Sequence, residues 1–117
     1  MSKLIVLFFV ILMTENHARA GPTETELGDA LNLCLLKAAA YYGRQLCHPP
    51  TSMLPAVFGR CSSILDDIHS ATAMTDLGKD NDANEVADAA IARIKKYYEE
   101  SIVTVILDAQ IGAKLCR

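Results

Sequence analysis

The chain has 117 residues, a formal net charge of −3, 51% hydrophobic residues, four cysteines and no tryptophan. Its basic residues are scattered, not gathered into a patch or stripe, which argues against nucleic acid, an anionic membrane or a pore-forming role. The length suits one domain with a buried core, small enough to gain from covalent staples.

Lys3 precedes an unbroken apolar run over residues 4–13, and the following stretch closes on Ala18-Arg19-Ala20. A membrane-spanning helix needs about 20 apolar residues, so this run is too short to cross a bilayer. A basic start, a short apolar segment and two small residues spaced by one form the pattern of a secretory signal peptide. The expected organisation is a signal peptide over 1–20, cleavage before Gly21 and a single helical domain over 21–117. Removing Lys3, Arg19 and Glu15 leaves nine Lys plus Arg against thirteen Asp plus Glu, a net charge of about −4.

The first helix is predicted to start at Thr23 or Thr25, either of which can cap it, with Glu24 and Glu26 favourable beside the positive end of the dipole. Leu27, Leu31, Cys34, Leu35, Ala38, Tyr41 or Tyr42, and Leu46 recur at spacings of three and four, one stripe of an amphipathic helix. Pro49-Pro50 ends it. A second helix follows, with Pro55 in its first turn and a stripe through Leu54, Val57 or Phe58, Cys61, Ile64 or Leu65, and Ile68. Residues 78–84 read as a loop.

That loop invites a calcium reading, because Asp80, Asp82 and Asn84 alternate. Glu85 stands where the calcium loop requires glycine, and Ile91 where it requires a bidentate glutamate, so the motif fails. A simpler role is a capping box of Asp82 with Glu85. The last segment carries Ala87, Ile91, Ile94, Tyr98, Ile102, Val105, Ala109, Gly112 and Cys116 at helical spacing. It is read either as one helix or as two that meet near Ser101. The β-branched run 102–106 has strand propensity, yet its helical period and the lack of a pairing strand favour helix. The expected fold is an all-α, disulfide-stapled bundle of three to four helices.

An even number of cysteines in a small secreted domain implies two disulfides. On one helix Cys34 and Cys47 would lie about 20 Å apart, beyond the roughly 7 Å that a disulfide allows. Each must then pair with Cys61 or Cys116. If the last segment is one helix in an up-down-up arrangement, Cys34–Cys61 and Cys47–Cys116 are favoured. If it folds back at Ser101, Cys34–Cys116 with Cys47–Cys61 competes.

No catalytic set is legible. His48 adjoins Cys47, but a free Cys47 would leave an odd cysteine, and His48 reads as an exposed loop residue. Paired zinc ligands, a phosphate loop, a GxSxG elbow and an HExxH helix are all missing. Adjacent carboxylates such as Asp66-Asp67 and Glu99-Glu100 diverge by about 100° on a helix and read as solvated charge. No enzyme, cofactor or metal is expected. The pairs Tyr41-Tyr42 and Tyr97-Tyr98 offer one ring each to the core and one to the surface, with Tyr42 and Tyr97 the candidates for a contact surface.

The stretch CLLKAAAYYGRQLC (residues 34–47), the Pro-rich turn after it and the terminal KLCR (residues 114–117) resemble the small salivary proteins of anopheline mosquitoes of the anophensin type. The resemblance implies a secreted, all-helical, disulfide-stapled protein of blood feeding. It would act on host plasma defence, either the complement alternative pathway or the contact (kallikrein–kinin) system. It carries over no contact residue. Two functions follow as expectations. The first is a secreted, non-enzymatic binding protein that inhibits or modulates an extracellular or plasma protein. The second is an extracellular carrier of a small apolar ligand held between helices, as in secretoglobins and insect odorant-binding proteins. Its cysteine pattern departs from both of those families: three of its four cysteines crowd the first half, and no C-x3-C couple is present.

Overall fold

A computed structural model describes residues 23–75, 82–114 and 116. Helix α1 spans Glu24–Gln45. Thr23 caps it: the Glu26 amide donates to Thr23 Oγ1 at 3.2 Å, and the Thr23 amide donates back to a Glu26 carboxylate oxygen at 3.4 Å. Leu27, Leu31, Leu35, Ala38, Ala39 and Gly43 form its buried stripe. Leu46 turns extended, and the chain passes Pro49 into a 3-10 turn, Pro50–Met53, that buries Met53.

Helix α2 covers Leu54–Arg60 and α3 covers Ser62–Ala73. The sequence reads these as one helix, and the structure breaks it at Cys61. There the backbone leaves helical geometry (φ −105°, ψ 17°), and the Cys61 amide bonds back to Phe58 O at 3.1 Å, a tighter turn. Gly59 and the Ser62-Ser63 pair flank the break with weak helix formers, a usual composition for a kink.

Helix α4 is a single helix, Ala83–Ala113, of 31 residues. Continuity through Ser101 removes the fold-back alternative. Asp82 caps it, its carboxylate accepting from the Asn84 and Glu85 amides. The β-branched run stays helical because helical spacing is what sends Ile102 and Ile106 together into the core, where both are fully buried. A strand would have turned alternate residues outward with no partner strand among the described residues. Lys114 ends the helix in the left-handed conformation, φ 54°.

Leu31, Leu35, Val57, Phe58, Leu65, Ile102 and Ile106 meet in one core, where each large side chain contributes roughly 1.5–3 kcal/mol by leaving water. Helix α4 runs along both α1 and α3, α2 packs on α1, and the 3-10 turn packs on α2 and α4. Leu27 and Leu31 face Ile94 and Tyr98 at one end, and Gly43 faces Ile106 and Ala109 at the other, so α1 and α4 are parallel. Helix α3 returns between those ends, which is the up-down-up order. The disulfides are Cys34–Cys61 and Cys47–Cys116, the first of the two connectivities the spacing allows.

Parallel α1 and α4 bring two helix C-termini together, where outward carbonyls need donors. Gln110 supplies them. Its buried side-chain amide donates to Leu46 O at 3.1 Å and to His48 O at 2.8 Å. His48 itself is exposed, with only its carbonyl engaged here. At the other end His69 Nε2 and Asp88 Oδ1 lie 2.8 Å apart, linking α3 to α4. Among the described residues no helix is long and apolar enough to cross a membrane. The expected signal peptide over 1–20, and most of the loop that failed the calcium motif, lie outside the described residues.

The helix contact at Gly43 leaves no room for a side chain. A Cβ there would meet Ala109 Cβ and Ile106 O, each at 2.7 Å. Gly43→Ala is expected to destabilise by about 1–3 kcal/mol, whereas Gly28→Ala, with open space around it, should stabilise by about 0.5–1 kcal/mol through helix propensity. Urea unfolding of the two variants checks the opposite signs.

The bridges close loops of 27 and 69 residues. In the loop-entropy account they stabilise by about 3.5 and 4.4 kcal/mol, upper-side values against a net stability of roughly 5–15 kcal/mol. Replacing Cys47 and Cys116 together by serine should lower the denaturant midpoint steeply while peptide mapping still recovers Cys34–Cys61.

Candidate binding site

Among the described residues, two concave surfaces beside the core stand out. The larger is a groove of about 730 Å³ on the outer face of α1, lined by Ala30, Leu33, Cys34, Lys37, Ala38, Ala40, Tyr41 and Arg44, with Arg60 contributed by α2. Cys34, Lys37, Tyr41 and Arg44 follow at steps of three, four and three, so they stack along one side of the helix beside the buried stripe. Among the described residues no carboxylate lines the groove.

Arg60 is placed by its neighbour. Cys61 is fully buried and bonded to Cys34, with 6.0 Å between their Cα atoms. The residue just before it is thereby held against α1. The guanidinium carbon of Arg60 sits 4.5 Å from the Tyr41 ring centre and 5.8 Å from that of Tyr42. The two rings meet edge to face, 5.5 Å apart. A cation over an exposed aromatic ring is worth about 0.5–1 kcal/mol, enough to bias the side chain toward one pose. Among the described residues Arg60, Arg44 and Lys37 make no ion pair.

The rings divide their labour differently from the sequence expectation. Tyr41 is the surface member of its pair, 42% exposed, while Tyr42 is half-buried against the core. Tyr41 is therefore the more exposed ring of the pair, and the reason is angular: one residue on, about 100° around the helix, Tyr42 packs against the core. Tyr97 is 78% exposed on α4, with Tyr98 packed inward at 5.1 Å. Neither Tyr42 nor Tyr97 lines the groove.

The smaller surface is a cleft of about 220 Å³ between the N-terminal half of α1, the end of α3 and the middle of α4. Leu27, Leu31, Ile68 and Ile94 make it apolar, and Glu24 and Tyr98 are among its polar groups. Burial, then the neighbouring Tyr97 and then Asp29, push the Tyr98 phenol above its ordinary value.

Among the described residues no three His, Cys, Asp or Glu side chains gather where they could hold a metal. All four cysteines are consumed in the two bridges, so Cys47 is no free thiol beside His48. The residues missed by sequence reading are Arg60, Lys37, Arg44 and Gln110. Lys37 and Arg44 share a helix side at a spacing of seven, and only the Cys34–Cys61 pairing hints that Arg60 reaches it. Comparisons with protein-family models, curated proteins and solved structures give no match.

A phenol raised above its unfolded value keeps its proton in the fold after the unfolded chain has released its own. Stability is then full at neutral pH and falls as the pH climbs past about 10. The fall should be shallower in Tyr98→Phe than in the native protein. Urea midpoints at pH 8 and pH 10.5 measure it, and equal slopes would remove the buried-phenol account.

Proposed function

We propose that this chain is a secreted, non-enzymatic binding protein that inhibits or modulates an extracellular protein through the α1–α2 groove. The observation that carries the reading is the groove's composition. Tyr41, Arg44, Arg60 and Lys37 converge there around the exposed Leu33, on a scaffold stapled by two disulfides. Tyrosine and arginine are the side chains that most often dominate protein-binding energetics, because each offers large contact area and directed polar groups. The disulfides and the leader-like N-terminus support an oxidising, extracellular destination. The salivary resemblance of residues 34–47 and 114–117 directs the search for a partner to host plasma, first to the alternative complement pathway and the contact system.

A second reading has its own observation. The 220 Å³ cleft under Leu27, Leu31 and Ile94 has the size for a small apolar molecule, with Tyr98 as a polar handle.

The purified oxidised protein, secreted from an expression host, separates the two. As an inhibitor it slows alternative-pathway lysis or contact activation of plasma in a dose-dependent way and elutes with one plasma protein in a fixed ratio. Tyr41→Ala should weaken that complex by roughly tenfold or more, while lowering stability by only about 1 kcal/mol through the lost contact with Arg60. Saturable displacement of a lipophilic fluorescent probe, with no plasma complex at micromolar protein, would instead select the carrier.

A further inference from the structure

We infer that the α1–α2 groove takes an acidic segment of the partner protein, with its carboxylates on Lys37, Arg44 and Arg60 and an apolar side chain against Leu33. The inference rests on the protein-binding reading above and names the chemistry of the bound segment.

The charge is the first argument. The protein as a whole is acidic, yet three of its eleven basic residues face one groove that, among the described residues, no carboxylate lines. Among the described residues none of the three is neutralised by an ion pair. Surface cations in an acidic protein usually sit beside its own carboxylates, as Lys95 and Lys96 do in sequence before Glu99 and Glu100. The field of the groove is positive against the rest of the molecule.

The second argument is the pose of Arg60. The Tyr41 ring holds the guanidinium carbon 4.5 Å from its centre by a cation–π contact, which uses none of the N–H donors. No protein hydrogen bond from those donors occurs among the described residues. A guanidinium edge presents parallel N–H donors that match the two oxygens of a carboxylate. The contact with the ring biases the side chain toward one place beforehand, so less side-chain freedom is lost on binding.

Spacing supplies the third. Lys37 and Arg44 are two helical turns apart, about 10 Å along α1. An extended peptide covers that distance in about three residues. The face from Ala30 to Arg44 runs about 21 Å, which an extended segment spans in about six residues. Ala30, Ala38 and Ala40 keep the floor shallow, and Leu33, 55% exposed, offers an apolar contact toward the N-terminal end.

Magnitude decides against the other polyanions. Three cations are few beside the 6–10 phosphate contacts typical of strong DNA binding and the clusters of 4–8 that read anionic lipid. A short run of carboxylates needs no more than the groove provides.

The probe is a synthetic octapeptide with three glutamates and one leucine, alongside a control with glutamine for each glutamate. Binding is followed by isothermal titration at 20 and 150 mM salt. The native protein should bind the acidic peptide, more weakly at the higher salt, and should not bind the control. Each screened charge pair is worth a factor of roughly 1.5–5. Lys37→Gln, Arg44→Gln and Arg60→Gln combined should therefore weaken binding by about tenfold or more, with circular dichroism unchanged because all three side chains are exposed. Arg60→Lys keeps the charge but loses the fork, and should recover only part of the affinity. Equal binding by the triple variant overturns the inference, as does preference for phosphatidylserine vesicles or a single-stranded oligonucleotide over the peptide. A plasma complex whose affinity the triple variant leaves unchanged also overturns it, and leaves the protein-binding reading standing. Peptide binding that tracks the three cations, without any plasma complex, supports the groove's chemistry and counts against the plasma-inhibitor reading alone.

Discussion

The Cys34–Cys61 bond joins the middle of α1 to the point where the second helical segment breaks. Its position fixes more than a distance. Cys61 is fully buried and packs within the same core as Leu31, Leu35, Val57 and Ile102. The helix break there lets α2 and α3 each lie on α1 with their own apolar residues inward. The residue before the break, Arg60, is carried onto the outer face of α1 and meets Tyr41. A staple that serves stability thus also sets the geometry of the candidate binding groove. The interior and the outer face of α1 depend on the same covalent link.

The far end of the bundle obeys a second constraint. Parallel α1 and α4 approach so closely at Gly43 that Ala109 and the Ile106 carbonyl fill the space a side chain would need. Close approach puts the end of α1 beside α4, and Gln110 reaches across to the carbonyls of its cap residue Leu46 and of His48 in the loop beyond. The Gln110 amide is buried, and leaving it without acceptors would cost about 1–3 kcal/mol, so the two carbonyls offset a substantial penalty. The Cys47–Cys116 bond then closes the same end, with 5.3 Å between Cα atoms. Small residue, polar tie and disulfide act in one place because chain direction brings two like helix ends together.

Much of this was legible in the residues. Thr23 with Glu26 and Asp82 mark helix starts, and the three-and-four stripe of α1 identifies Leu27, Leu31, Leu35 and Ala38 as core. Helix length alone excluded a Cys34–Cys47 bridge. The choice between the remaining pairings waited on whether α4 continues through Ser101, a question of tertiary packing that helix propensity does not answer. The break at Cys61 was hidden because its stripe, from Val57 to Ile68, stays in phase closely enough to pass for one helix. Tyr41 and Tyr42 differ by about 100° of rotation, which a stripe read from sequence does not resolve at a helix end. The groove was hardest to see. Lys37 and Arg44 share one side of α1, but Arg60 joins them only where the Cys34–Cys61 bond holds the end of α2 against that helix.

The central claim is that binding uses the outer face of α1 together with Arg60. Covalent footprinting of the plasma complex tests it most directly, with acylation of lysines and dicarbonyl modification of arginines compared between free and bound protein. The account predicts strong protection of Lys37, Arg44 and Arg60, with Arg93 and Lys96, exposed on α4, modified equally in both states. Protection of Arg93 and Lys96 with Lys37, Arg44 and Arg60 left reactive would contradict it.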